Sequence, residues 1–116
     1  MYAGLSLGVM PAQKLAQTRP GAQGAVLLHA AIPPSEFGGA WPPAVPLQIH
    51  LMEDDEFALE GDLDAARELE DAVENAVLYL YPGDRHLFTD RSLAEYDEDA
   101  ATLVKERVLA FLDGIE

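Results

Sequence analysis

Three short runs of aliphatic residues, each followed by a loop, constrain the fold of this chain more than any other feature. The runs cover residues 24–29, 46–51 and 76–81. Their length and their aliphatic content are typical of buried strands. Segments with helical character lie between and around them, so the chain alternates strand and helix. This alternation predicts an α/β fold with a mostly parallel sheet covered by helices.

Three segments are predicted to be helices from the spacing of their apolar residues. The first should run over about residues 7–17. The second should span residues 63–75, with Asp62 as its N-cap. The last should begin near Asp97 or Asp99, continue to Leu112 and cover the edge of the sheet.

Residues 32–44 form a segment that cannot be a regular helix or a central strand, because it contains four prolines and two glycines. It is predicted to be a loop. The loop follows a strand, so its Phe37 and Trp41 are candidates for the lining of a substrate pocket. Packing at the surface is the favoured role for both side chains, and pocket lining is the alternative.

Length and composition limit what the chain can do. Its 116 residues suit one domain, residues 1–116, with a single core. The absence of cysteine excludes disulfides, thiolate metal sites and a cysteine nucleophile. A net charge of -14 would repel nucleic acid and anionic membranes, so neither is an expected partner. No apolar run approaches the ~20 residues of a membrane-spanning helix, and a cytoplasmic protein is the default expectation.

The motif Gly4-Leu5-Ser6-Leu7-Gly8 follows a candidate strand at residues 1–3 and precedes the first predicted helix. It matches the G-x-S-x-G nucleophile elbow, in which a strand turns sharply into a helix and presents a serine at the apex. Side chains at the flanking positions of such a strained turn would collide with the neighbouring strand and helix. Gly4 and Gly8 are therefore expected to remove those clashes. A glycine-flanked serine in an ordinary turn is the alternative interpretation.

A candidate acid and a candidate base follow the motif in the order that a serine nucleophile requires. A serine hydroxyl needs a histidine to take its proton and a carboxylate to orient that histidine. Asp55 comes after the second aliphatic run and His86 after the third. Parallel strands end at one edge of a sheet, so Ser6, Asp55 and His86 are expected to meet there. Asp54 is the fallback acid, because it is an adjacent carboxylate.

Three blocks of this sequence resemble the dienelactone hydrolase family, and the similarity extends over nearly the whole chain. They are Gly4-Leu5-Ser6-Leu7-Gly8, His50-Leu51-Met52-Glu53-Asp54-Asp55 and Gly83-Asp84-Arg85-His86-Leu87-Phe88. The resemblance implies an α/β-hydrolase fold that cleaves a small carboxylic ester or lactone through an acyl-enzyme, without a cofactor. It places the nucleophile on Ser6, the acid on Asp55 and the base on His86. The backbone N–H of Leu7 would be one oxyanion donor.

The chain departs from that family at several positions. Ser6 stands where the best-known members have cysteine, and Val9 where they have a second glycine. Asp90 stands where those members place an arginine, four residues after the histidine, to hold the substrate carboxylate. An anionic dienelactone is therefore not the expected substrate, and the negative charge of the chain argues in the same direction.

The chain begins inside the nucleophile strand, whereas similar family members have about half a sheet before it. We therefore expect a partial fold, its C-terminal half, that lacks one of two oxyanion donors and has weak or no activity. The alternative function is that of an inactive half-domain or truncated gene product. Such a chain would associate with another chain, or with a second copy of itself, through the exposed strand at residues 1–3.

A metal site is the remaining enzymatic alternative, because His29, His50 and His86 all lie near predicted strand ends. Their spacing matches no known ligand motif. His29 and His50 are instead expected to be buried, hydrogen-bonded side chains, and no metal ligand is assigned.

Overall fold

The computed structural model describes residues 1–115 and contains one sheet of four parallel strands. The strands lie in chain order across the sheet, and they are β1 (Tyr2–Leu5), β2 (Ala25–Leu28), β3 (Leu47–Met52) and β4 (Ala76–Tyr81). The predicted α/β class with about four strands is confirmed. All six residues of β3 are buried, because this strand has a neighbour on each side and helices over both faces.

Three α-helices cover the sheet, and they are α1 (Val9–Thr18), α2 (Leu63–Ala72) and α3 (Glu98–Asp113). Helices α1 and α2 bury their apolar residues against one face of the sheet, which forms the larger part of the core. Alternate residues of each strand point to this face, as the two-residue period of a strand requires. The buried strand residues on this side include Ala25, Leu27, Leu47, Ile49 and Leu51.

Helix α3 lies on the opposite face of the sheet rather than along its edge, which corrects the expectation from the sequence. Ala100 and Val104 pack against Met52 and Tyr81. These two helix residues are four apart and therefore share one face of α3. Leu103 is exposed because it lies outside that narrow stripe.

Polar side chains fill part of the space between the sheet and α3. The ring of His50 is buried, with Nδ1 2.8 Å from the hydroxyl of Tyr81 and Nε2 3.0 Å from Oε1 of Gln48. The guanidinium of Arg107 lies 4.3 Å from the centre of the Tyr79 ring, a cation–π contact. The expectation that His50 is a buried, hydrogen-bonded residue is confirmed.

The proline-rich loop is held in place by two glutamines of α1. Gln13 forms two hydrogen bonds with the backbone of Ile32, and Gln17 donates to the carbonyl oxygens of Pro34 and Gly39. Trp41 is buried in the core, with its indole N–H donating to the carbonyl of Val45 at 2.7 Å. The expectation that Trp41 packs at the surface is therefore wrong.

Asp62 does not cap α2, contrary to the prediction from the sequence. A short helical segment (Ala58–Asp62) precedes the helix and is kinked at Gly61, whose φ of 147 only glycine adopts readily. Asp62 itself has helical backbone angles and makes no capping bond with its side chain. Asp97 does cap α3, where its Oδ1 accepts a hydrogen bond from the N–H of Ala100 at 3.1 Å. Within residues 1–115, no helix combines the length and apolarity needed to cross a bilayer.

The close approach of β1 to the turn that follows it depends on one glycine. A Cβ atom on Gly4 would lie 2.4 Å from the carbonyl oxygen of Gly8, an atom that cannot move without moving the backbone. A Cβ atom on Gly8 would meet nothing within 4 Å. The prediction that glycine avoids a clash is therefore confirmed for Gly4. It is wrong for Gly8, where a Cβ atom would face open space.

We predict that Gly4→Ala lowers the free energy of unfolding by about 3 kcal/mol or more, because the added methyl group overpacks rigid backbone. Gly8→Ala is the matched control. It should be neutral or stabilise the fold by up to about 1 kcal/mol, because Gly8 has helical angles. Urea unfolding followed by circular dichroism measures both. Equal stability of the two variants would contradict this account of the turn.

Candidate active site

Ser6 stands at the point where β1 turns into a single 3-10 turn (Ser6–Gly8) that leads into α1. Its φ is 53, in the left-handed region that is unusual for a residue other than glycine. This conformation typically costs about 1–3 kcal/mol and is maintained only where the surrounding structure imposes it. The strand–turn–helix context expected for the G-x-S-x-G motif is thus present.

Ser6, His86 and Asp55 form a continuous chain of short hydrogen bonds. Ser6 Oγ lies 2.7 Å from His86 Nε2, although the two residues are 80 positions apart. On the other side of the ring, His86 Nδ1 lies 2.6 Å from Asp55 Oδ2. The second carboxylate oxygen of Asp55 accepts a hydrogen bond from the N–H of Phe57 at 2.9 Å. This bond fixes the orientation of the carboxylate, and the three side chains meet as the sequence predicts.

The two neighbouring aspartates have different surroundings. Asp55 is 1% exposed and points to His86, whereas the side chain of Asp54 is exposed. Asp54 contributes through its backbone, because its N–H donates to the carbonyl of Gly83 at 2.9 Å. This bond joins the segment that carries Asp55 to the segment that carries His86.

The segment around His86 is supported by residues on both sides of it. Oε2 of Glu95 accepts a hydrogen bond from the backbone N–H of His86 at 3.0 Å. The sulfur of Met52 accepts one from the N–H of Arg85 at 3.2 Å. The same sulfur would lie 2.8 Å from a Cβ atom on Gly83, whose φ is 132. Glu95 and Met52 were not recognised from the sequence, since only the folded chain brings them to this segment.

A cavity of about 380 Å³ opens beside Ser6 and His86. Five of its lining residues are apolar, and these are Leu7, Met10, Ala30, Ile32 and Phe57. Phe57 also packs against His86, with 4.5 Å between the ring centres. Asp62 is the remaining lining residue. The cavity is large enough for a small organic molecule.

The two aromatic residues proposed for this pocket from the sequence do not line it. Trp41 is part of the core, as described above. Phe37 lines a second cavity, which shares Met10 and Ile32 with the first. Sequence reasoning instead missed Phe57 and Asp62, which come from the segment between β3 and α2.

His29 is the second residue other than glycine with a left-handed backbone, with φ 72. It directly follows β2, and its buried Nε2 lies 2.8 Å from Oγ1 of Thr89. Its ring packs edge-on against the rings of Phe88 and His86, with centres 4.9 and 6.0 Å apart. His29 therefore connects the end of β2 to the segment that carries His86, and its predicted burial and hydrogen bonding are confirmed.

The three imidazole rings take part in separate hydrogen-bonded groups. His86 contacts Ser6 and Asp55, His29 contacts Thr89, and His50 contacts Gln48 and Tyr81 on the α3 side of the sheet. Among residues 1–115, no three histidine, aspartate or glutamate side chains are grouped so that they could hold a metal ion.

The fold and the site together define the class to which this chain belongs. Four parallel strands, a serine at a strand-to-helix turn, and an acid and a histidine after later strands are the arrangement of a partial α/β-hydrolase fold. Residues 1–115 match the model of the dienelactone hydrolase family. The chain therefore belongs to the dienelactone hydrolase family.

A solved structure has the same fold. It is the "Putative Dienelactone Hydrolase from Klebsiella pneumoniae subsp. pneumoniae MGH 78578", which matches with a TM-score of 0.72 and 20% sequence identity. The match covers 93% of this chain and 49% of that one, so the chain spans about half the length of this relative. Among curated proteins, none matches this sequence.

The two buried histidines, His29 and His50, should lower the free energy of unfolding in mild acid. Burial, and secondarily the charge of His86, lowers the pKa of His29 to about 4, while burial and the charge of Arg107 lower the pKa of His50 to about 3. Below the ordinary pKa of 6.5 the unfolded chain binds these protons and the folded chain does not. The free energy of unfolding should therefore fall as the pH decreases from about 6.5 to about 4.

Urea midpoints measured between pH 7.5 and 4.5 test this expectation. His29→Asn is the matched variant, because asparagine tolerates a positive φ and does not titrate in this range. The many carboxylates affect both chains alike, so the difference in stability between the unmodified chain and His29→Asn reports on His29. As the pH falls, the unmodified chain should become less stable relative to His29→Asn. A difference that does not change with pH would show that His29 is protonated equally in both states.

Proposed function

We propose that this chain is a serine hydrolase that cleaves a small carboxylic ester or lactone through an acyl-enzyme. The observation that carries the proposal is the pair of hydrogen bonds, 2.7 and 2.6 Å long, that connect Ser6, His86 and Asp55 beside an apolar cavity. Membership of the dienelactone hydrolase family supports the same class of reaction.

Each of the three side chains has one role in the proposed reaction. Ser6 Oγ attacks the carbonyl carbon while its proton passes to His86 Nε2. The bond from carbon to the leaving oxygen then breaks, and His86 returns the proton to that oxygen. Water, deprotonated by His86, then attacks the acyl-enzyme. The bond from the acyl carbon to Ser6 Oγ breaks, the acid is released, and His86 returns the proton to Ser6 Oγ. Asp55 holds the ring with Nδ1–H directed at its carboxylate and stabilises the charged imidazole.

Leu7 supplies the proposed oxyanion donor of this chain through its backbone N–H. It directly follows Ser6 and lines the cavity, the position from which the residue after the nucleophile donates in this class of site. A single donor of this kind typically contributes 10²–10³ in rate. The proposed reaction needs no cofactor, because the nucleophile, base and acid are all side chains.

A second candidate function is association through the edge of the sheet, and the position of β1 favours it. β1 is an outer strand, and the N–H of Tyr2 donates to the carbonyl of Gly24 on the inner side. Because successive backbone groups of a strand point in opposite directions, the N–H and C=O of Ala3 face outward. The exposed side chain of Leu5 adds apolar surface there. An inactive half-domain would use this edge to pair with a second copy.

Substitution of the triad residues tests the hydrolase proposal. Ser6→Ala should reduce whatever hydrolysis of a 4-nitrophenyl ester the unmodified chain shows to the background rate, because the variant has no nucleophile to form the acyl-enzyme. It should also remove the covalent adduct that a fluorophosphonate probe forms with the unmodified chain, as seen by mass spectrometry. Substantial hydrolysis by Ser6→Ala would overturn the assignment.

The adjacent aspartates provide a matched pair for the acid. Asp55→Asn should slow turnover and probe labelling by about 10⁴-fold, because an amide cannot keep the imidazole in its working tautomer. Asp54→Asn removes the same charge one residue away and should leave both rates within about twofold, because the side chain of Asp54 is exposed. Similar losses in the two variants would contradict the role given to Asp55.

Ala3→Pro tests association through β1. Proline removes only the outward N–H, which does not pair with β2, and it is tolerated on edge strands. If two copies pair through β1, size-exclusion chromatography with light scattering should show a dimer for the unmodified chain and a monomer for Ala3→Pro with unchanged circular dichroism. Ala3→Gly is the control and should remain dimeric. A monomeric unmodified chain would exclude this interface.

A further inference from the structure

The cavity beside Ser6 has an acidic side chain in its wall and no basic one to balance it. Within residues 1–115, its ionisable lining residues are His86 and Asp62, and no lysine or arginine lines it. The basic residues closest in sequence to His86 are directed elsewhere. Arg85 donates to the carbonyl of Tyr96, and Arg91 lines a groove beside α3.

Asp62 is fixed in the cavity wall by the backbone before α2. The segment that ends at Asp62 is kinked at Gly61, and the Asp62 side chain is half-buried. The carboxylate does not cap the helix. Among residues 1–115, the structure contains one ion pair, between His86 and Asp55, so Asp62 has no cationic partner there. Its charge is therefore not paired with a cation in a salt bridge.

Asp62 lines the same cavity as Ser6 and His86. Burial raises the pKa of the Asp62 carboxyl, and the charge of Asp55 raises it further, while His86 lowers it. The carboxylate therefore lies in surroundings that screen charge less than bulk water does. A charged group on a bound substrate would experience the same weakly screened field.

We propose that Asp62 determines the charge preference of this cavity, so that acyl groups that are neutral or cationic are accepted and acyl groups with a carboxylate are rejected. The proposal rests on the proposed hydrolase function of the same site. An anionic acyl group would have to displace water from two negative groups, its own carboxylate and Asp62, with no cation in the wall to compensate. A neutral group of the same shape avoids this repulsion, and a cationic group gains attraction instead.

Three 4-nitrophenyl esters of matched length test the preference. They are mono-4-nitrophenyl adipate, which carries a carboxylate, its methyl ester, which is neutral, and the ester of 5-(trimethylammonio)pentanoic acid, which is cationic. The readout is kcat/KM for each charged ester divided by kcat/KM for the neutral one, after subtraction of spontaneous hydrolysis. This ratio is independent of changes in the overall activity of a variant.

Asp62→Asn should raise the ratio for the anionic ester about fivefold to tenfold and lower the ratio for the cationic ester by a similar factor, as expected for loss of one charge within roughly 6–8 Å. Asp64→Asn is the matched control, because it removes one charge from an exposed position two residues away. It should leave both ratios unchanged. Added salt should weaken the preference of the unmodified chain only modestly, since the cavity is partly shielded from solvent.

The outcomes separate this proposal from the one on which it rests. No hydrolysis of any of the three esters would overturn the hydrolase proposal. Hydrolysis of the neutral ester with the same ratios in the unmodified chain and Asp62→Asn would overturn the role of Asp62 alone. Equal changes in Asp62→Asn and Asp64→Asn would show that the overall charge of the chain, rather than the wall of the cavity, sets the preference.

Discussion

The in-register parallel pairing of the four strands is the constraint on which the candidate site depends. Leu5 of β1, Leu28 of β2, His50 of β3 and Tyr79 of β4 lie side by side across the sheet. The chain consequently leaves every strand on the same edge. Ser6 follows β1 directly, and the segments after β3 and β4 carry Asp55 and His86. A shift of one strand by a single residue would move each of its side chains to the opposite face of the sheet and separate these groups.

The sequence predicted the parts of this arrangement that depend on local pattern. The aliphatic runs located three strands to within one or two residues, and the Gly4-Leu5-Ser6 segment indicated a turn that the structure contains. Other features depend on contacts between distant segments, and no local pattern reports them. The sequence predicted Asp62 to be an ordinary helix cap, because the kink at Gly61, which places Asp62 in the cavity wall, is not visible in the sequence. The sequence did not predict that Trp41 belongs to the core, because the cluster that buries it is built from segments that are distant along the chain.

Three histidines of one chain show how surroundings determine the properties of a side chain. His50 is enclosed by aromatic rings under α3, and His29 is enclosed at the end of β2, so both are held in the neutral form by burial. His86 lies between a buried carboxylate and a serine hydroxyl, with 16% of its side chain exposed. Burial makes the first two part of the core, whereas an acid on one side and an open cavity on the other suit His86 to accept and return a proton.

The thioether of Met52 has a consequence for the durability of the site under oxidising conditions. Its sulfur contacts the turn at Gly83 and accepts a hydrogen bond from Arg85, directly before His86. Conversion of a thioether to a sulfoxide adds a polar oxygen to the sulfur and makes the side chain bulkier and less adaptable. Met52 is buried, so the modification would place a polar oxygen in the core beside the segment that carries His86. Two thioethers therefore lie close to the site, that of Met52 beneath the turn that precedes His86 and that of Met10 in the wall of the cavity.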